Sequence, residues 1–350
     1  MNFSSDNVTG VAPEIMAALA AANAGPAASY GADAITERLA RRFSDLFERE
    51  VVVFPVATGT AANALALACL TPPWGVVYGH REAHFQVDEC GAPEFYAGGA
   101  KLRPLEGAHG KITAADLEAA IMGRGVVHHA QPASVSLTQS TEAGTVYQAA
   151  EVEAIAEVCR RHGLGLHVDG SRFANAVAAL NRSPADLTWR AGVEALSFGA
   201  TKNGAMAAEA VVFFDPGKAE EFAFRRKRGG HLFSKMRFLS AQLEAYLEGD
   251  LWLRNARHAN LMATRLAEGL ESLPGAQLQH PVEANEIFVS LPDPVIRGLL
   301  ADGFKFYRWD NEASVVIRLV TAFDTAASDV DAFLAAACRH AERASAGRRS

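Results

Sequence analysis

Two periods of apolar patterning organise the first two-thirds of the chain. Short apolar or β-rich runs read as buried strands at Val51–Val56, Val76–Tyr78, Lys101–Leu105, Ser134–Gln139, Leu164–Asp169, Val193–Ser197 and Glu209–Phe214. Helical spacing falls between and before them. Ile35, Leu39, Phe43, Leu46 and Phe47 share one face of a helix Ala34–Glu48, with Asp33 as its cap. Pro13–Asn23 has Pro at its start and Gly25 past its end. Ala64–Leu70, Ala114–Met122 and Glu151–His162 follow, the last closed by Gly163 at C′. Strands alternating with helices from Val51 to Phe214 predict a largely parallel α/β sheet, whose ligand sits at the C-terminal strand ends.

The pattern changes after Phe214. Long helices over Phe233–Glu248 and Leu251–Ser272 lead to strands near Glu286–Leu291, Phe304–Trp309 and Val315–Val320, with helices Pro294–Ala301 and Ala327–Ala344. This predicts a smaller α+β unit over 251–350 beside a large α/β unit over 1–250. Residues 1–12 read as a polar, extended arm on which Ser5 and Asp6 are solvated, and the tail Ser345–Ser350 reads as frayed.

Composition narrows the function. About half of the 350 residues are apolar and a fifth charged, as in an ordinary globular protein with a large core. A net charge of −7, with no basic block interleaved with aromatics, argues against nucleic acid as a partner. Cys69, Cys90, Cys159 and Cys338 are far apart, which points to a reducing cytoplasm rather than to disulfides or a metal site. The N-terminus lacks a signal-peptide pattern, and no run reaches the roughly 20 apolar residues of a membrane span.

The residues that carry chemistry stand at the strand ends. LSFGATKNG delivers Lys202 to the mouth of an apolar sheet, where desolvation favours a neutral, nucleophilic amine. LGLHVDGSR delivers Asp169 from the strand before it. Such a pair gives the two fixed points of a pyridoxal-phosphate site: a lysine for the Schiff base and an aspartate for the pyridinium nitrogen. Thr58-Gly59-Thr60, between a strand and a helix, forms an anion site of free N–H groups, or a plain Thr cap. His84 is placed to stack on a ring and move protons, and Glu142 tips the turn Thr141–Gly144. Thr60, His84, Glu142, Asp169 and Lys202 all follow strand ends, a coincidence independent of any one motif. Arg318 lies inside the apolar run VVIRLV and needs an anion, either a structural carboxylate or a substrate α-carboxylate. The cluster Arg225–Arg228 is a solvated face or a source of a phosphate ligand across a subunit interface. Tyr30 reads as a turn residue.

Collected in order, the stretches SSDNVTG, SYGADAITERLARRF, FPVATGTAANALAL, AHFQVDECGA, LHVDGSRFANA, LSFGATKNG and VIRLVTAFD resemble the threonine aldolase/β-eliminating lyase family of fold-type I pyridoxal-phosphate enzymes. The resemblance implies pyridoxal 5′-phosphate on Lys202, Asp169 at the ring nitrogen, His84 over the ring, and Gly59, Thr60 and Arg228 at the phosphate, with Arg172 near cofactor and substrate. It implies Ser5, Arg172 and Arg318 near the substrate carboxylate, with Glu89 also among the substrate contacts. It further implies a homo-oligomer, commonly a dimer of dimers, in which Tyr30 and the 225–228 cluster complete a neighbour's site. Two departures stand out. Ala61 stands where many members have a glutamine in the phosphate loop, and Glu142 stands at or next to the place where many members have a second histidine near the substrate β-hydroxyl. The reaction implied is retro-aldol cleavage of an L-β-hydroxy-α-amino acid to glycine and an aldehyde. Its rivals are β-elimination, racemisation or transamination on the same cofactor, and a non-catalytic binding protein of the same fold.

Overall fold

The apolar runs pair into a seven-stranded sheet: β1 (Val52–Val56), β2 (Gly75–His80), β3 (Lys101–Leu105), β4 (Gln131–Thr138), β5 (Gly165–Gly170), β6 (Ala195–Gly199) and β7 (Glu209–Phe213). In the computed structural model, which describes residues 1–309 and 311–346, their order is β1-β7-β6-β5-β4-β2-β3. Only β7 runs against the others in this sheet. The C-terminal ends of the other six strands and the start of β7 therefore share one edge.

Register fixes which side chains meet there. Thr138 pairs with Asp169, Asp169 with Ser197, and Glu209 with both Gly199 and Val56. Paired residues share a face and alternate residues return to it, so Asp169, Ser197 and Glu209 lie on one side of the sheet. The helix α3 (Gly59–Leu70) covers that side, packing Ala61, Ala62 and Leu65 with Val56, Val211 and Phe213. This helix starts at Gly59 rather than at the Ala64 read from sequence. Thr58 accepts the Ala61 N–H at 3.2 Å, and the small residues taken for a turn are the helix's own first turn. The opposite side is aromatic. Phe198 meets Phe43 of the helix Ala34–Leu46 at 5.1 Å and Trp252 of the helix Leu251–Glu271 at 5.7 Å.

The smaller sheet holds β8 (Gln277–Leu278), β9 (Glu286–Ser290), β10 (Tyr307–Arg308) and β11 (Val316–Val320), antiparallel in the order β10-β11-β9-β8. The strand expected over Phe304–Trp309 shrinks to two residues, since Phe304 and Phe306 instead pack on Phe333. The last helix runs to Ala346, and the rest of the tail lies outside the described residues. The N-terminal arm departs most from expectation. Phe3 donates its N–H to Lys305 and accepts from Val320, both at 2.8 Å, and its buried ring meets Phe333 at 5.4 Å. One aromatic residue is enough to anchor an otherwise polar segment, and it brings Asp6 into the interior as a buried residue rather than a solvated one.

Under the shared face of the large sheet, His167 ties three strands together. Its ring bonds Ser136 of β4 at 2.9 Å and Ser197 of β6 at 3.0 Å. Burial holds the ring down to about 4 against the pull of Asp169. The unfolded chain takes up this proton near 6.5, so His167's contribution is full above that pH and is lost as pH falls toward 4. Urea unfolding should show that His167→Gln loses about 2–3 kcal/mol less stability than the parent between pH 7 and 4.5.

Candidate active site

Asp169 lies at the centre of the sheet edge, 1% exposed. Its Oδ1 accepts the Ser171 hydroxyl at 2.7 Å and the Ser171 N–H at 3.0 Å, and Oδ2 accepts the Asn63 amide at 2.8 Å. Burial pushes its carboxyl up, but the Ser171 bonds and the charges of His84 and Lys202 prevail and hold it below the usual carboxylate range. Among the described residues no cation is in ion-pair contact with it. A buried carboxylate kept ionised by neutral donors fits a cationic ring nitrogen.

Asn63 reaches Asp169 from the first turns of α3. The same amide nitrogen donates to Glu89 Oε1 at 2.8 Å, and Glu89 Oε1 also meets His84 Nδ1 at 2.9 Å. Glu89 is sealed behind the imidazole rather than open to a substrate. Glu89 raises the His84 pKa, chiefly through this bond, while burial opposes it. Burial in turn raises Glu89 against the His84 bond. His84 keeps about a third of its side chain exposed and lies within reach of the charges of Asp169 and Glu142. Asn63 is a functional-site residue that sequence reading passed over; its signal is one amide in the apolar helix GTAANALALACL.

The phosphate turn lies beside this network. A side chain at Gly59 would touch Ser171 Oγ at 3.5 Å. Thr58 spends its hydroxyl on Ala61, and Gly59 and Thr60, the half-exposed first residues of α3, point their N–H groups out of the helix end. That is the donor set a phosphate needs.

Lys202 follows β6 in the short turn Thr201–Asn203 and is half-buried. Its charge is felt by Asp6, Glu142, Asp169 and Glu209. The turn is pinned by Asn203, whose amide donates to the Tyr246 hydroxyl at 2.6 Å and the Trp252 carbonyl at 2.8 Å. Glu142 is half-buried, and burial, then Glu286 and Asp169, raise its carboxyl against Lys202 and Arg172.

The two arginines are linked through acids. Arg172 donates Nε and Nη2 to Asp6 at 2.7 and 3.1 Å, and its Nη1 lies 2.9 Å from Glu286 Oε2. Arg318 donates Nε and Nη2 to Glu286 Oε1 at 3.0 and 2.5 Å and stacks over Trp309. Of the two partners open for Arg318 from sequence, a structural carboxylate is present. Its Nη1 is not drawn into that pair. The signal for Glu286 was a lone charge in the apolar run EIFVS, matching the lone Arg318 in the strand beside it.

The remaining residues lie elsewhere. Ser5 accepts the Asn7 N–H at 3.1 Å and caps a short turn. Tyr30 is exposed, with the Lys227 ammonium 4.9 Å from its ring. Arg228 is exposed beside Phe95 and Phe224. Neither Tyr30 nor Arg228 touches the Lys202 group within one chain.

With this geometry in view, comparison with known proteins is direct. The family model described as beta-eliminating lyase matches residues 2–293. The chain belongs to that family. It is 46% identical over 323 residues to a low specificity L-threonine aldolase of Pseudomonas aeruginosa, covering 92% of this chain and 93% of that protein. A protein of the same name from Pseudomonas sp. strain NCIMB 10558 is 43% identical over 323 residues, with the same coverage of 92% and 93%. The structure of a Leishmania major threonine aldolase superposes with a TM-score of 0.91 at 29% identity, covering 97% of this chain and 99% of that one.

Asp6 is the only acid on Arg172 Nε among the described residues, so its loss leaves a buried guanidinium half paired. Breaking a buried pair from one side costs about 3–5 kcal/mol. Asp6→Ala should lower the urea unfolding free energy by that amount.

Proposed function

We propose that this chain is a pyridoxal 5′-phosphate-dependent aldolase that cleaves L-β-hydroxy-α-amino acids, of the threonine, allo-threonine or aryl-serine type, to glycine and an aldehyde. The observation that carries the reading is Asp169, a buried carboxylate held ionised by neutral donors within charge reach of Lys202 and His84. Relatives over the whole chain that are named threonine aldolases support the substrate class.

In this reading Lys202 holds the cofactor aldehyde, Asp169 its ring nitrogen, His84 one face of its ring, and the N–H groups of Gly59 and Thr60 its phosphate. When bound, the cofactor supplies an electron sink for the pair left on Cα as Cα–Cβ breaks. Arg318, with Nε and Nη2 fixed by Glu286, offers its Nη1 edge to the α-carboxylate. His84 takes the β-hydroxyl proton directly or through one water. Glu89 holds Nδ1 and thereby orients the ring, as the third member of a triad orients its base. Glu142 orients the substrate hydroxyl. Arg172, paired with Asp6 and Glu286, supports Arg318 through Glu286.

We assign the cytoplasm as its compartment; its four cysteines are free, and among the described residues no helix is long and apolar enough to cross a membrane. We also assign a homo-oligomer in which Tyr30 and Arg228 complete a neighbour's site. The exposure of Phe95 at 77% and Phe224 at 79% beside Arg228 supports such a contact. We also assign a large unit over 1–250 and a smaller one over 251–350, with Phe3 of the arm packed into the smaller unit's core.

Purified protein loaded with pyridoxal 5′-phosphate should absorb in the near-visible and release acetaldehyde from threonine or allo-threonine, or an aryl aldehyde from an aryl-serine. Lys202→Ala should abolish both signals, and a variant retaining both refutes the assignment. The base is tested separately. His84→Asn should lower kcat by about 10²–10⁴ on every diastereomer, the range for a lost general base. Glu142→Gln should stay within about tenfold and change the threo/erythro ratio. The reverse pattern transfers the base role to Glu142.

A further inference from the structure

Glu209 has no part in the steps above, yet it sits on the face and edge that hold them. It opens β7, pairs with Gly199 and Val56, and is 6% exposed. Its Oε2 accepts the Ala200 N–H at 3.2 Å, and the Thr201 hydroxyl accepts the Ala208 N–H at 3.2 Å across the same turn. Ala200 and Thr201 are the two residues before Lys202. We propose that Glu209 is a positioning residue for Lys202, fixing the turn that presents the amine and supplying a negative charge that stabilises the protonated form of its bond to the cofactor. The proposal rests on the reading that Lys202 carries pyridoxal 5′-phosphate.

A glutamine oxygen would accept the same N–H without the cost of burying an acid. Glu209 has no cation in ion-pair contact among the described residues, so capping alone does not account for a carboxyl there. Few ionisable groups face it. Its partners across β1 and β6 are Val56 and Gly199, neither of them ionisable. Lys202 on the turn and Tyr246 on the helix Arg237–Leu247 are the titratable groups that feel it. Burial pushes the carboxyl up to about 7, while Thr201 and Lys202 pull it down. Its charge therefore develops near neutral pH, beside the amine.

The test is a pH titration of the near-visible absorbance of the loaded protein. Glu209→Gln keeps the shape and most of the bonds. It should lower the titration midpoint by about one pH unit, the scale of one nearby partly screened charge, with the melting temperature unchanged. A folded, loaded Gln variant with the parent's midpoint overturns the proposal and leaves Glu209 a plain cap. If the Gln variant does not fold, Glu209→Asp decides: its shorter carboxylate should lower the midpoint by a smaller amount, and an unmoved midpoint, or failure to fold, overturns the proposal. Parent protein without any near-visible band overturns the cofactor reading and this proposal together, whereas a normal parent band with an unmoved variant overturns this proposal alone.

Discussion

Four charges in a row, the buried Asp6, Arg172 and Glu286 and the half-buried Arg318, join parts of the chain that are far apart in sequence. Asp6 belongs to the arm, Arg172 to the turn after β5, and Glu286 and Arg318 to the smaller sheet. Asp6, Arg172 and Glu286 are removed from water, and each depends on its neighbour in the row. Such a row adds little net stability over apolar packing, but it penalises any displacement of one part against another. The row thus fixes the smaller unit relative to the edge where Asp169 and Lys202 stand. It also decides how Arg318 is presented, because a guanidinium gripped through Nε and Nη2 has one remaining planar edge.

A second row, His84, Glu89, Asn63 and Asp169, runs along the same edge by a different logic. Its centre is a neutral amide with two N–H groups, one for each carboxylate. A lysine in place of Asn63 would neutralise both acids and cancel the field that Asp169 presents. An amide satisfies them as acceptors and leaves the charge on Asp169 undiminished. The helix α3 can deliver Asn63 there because its first turns are small enough to lie flat on the sheet.

The fold and the catalytic edge were legible in the sequence for one reason. A mostly parallel sheet places the residues after its strands on one side, so strand ends could be read as positions in space. His84, Glu142, Asp169 and Lys202 were found in that way, and the charges reaching among them agree with it. What was missed depends on pairings between distant segments. Asp6 read as solvated because its neighbours are polar, and only Phe3 docking against Phe333 takes it inside. Glu286 and Asn63 were single polar residues in apolar runs, a pattern that marks a buried partner without saying which. Tyr30 and Arg228 lie on outer faces, and no property of one chain carries them to the Lys202 group.

The acids around Lys202 fall into two kinds. Asp6 and Asp169 are held below the usual range, the first by Arg172 and the second by the Ser171 bonds, each against burial. Glu89, Glu142 and Glu209 are raised, each chiefly by burial. The first kind provides fixed charge, which anchors Arg172 and sets a negative charge within reach of Lys202 and His84. The second kind is pushed toward its protonated form by burial. Opposite shifts within one small volume need opposite balances, and here the donors outweigh burial at the aspartates and burial outweighs them at the glutamates. Cleavage moves a proton off an oxygen and returns one to carbon without changing the charge on the ring's partner. A site that separates permanent charge from exchangeable protons meets both requirements at once.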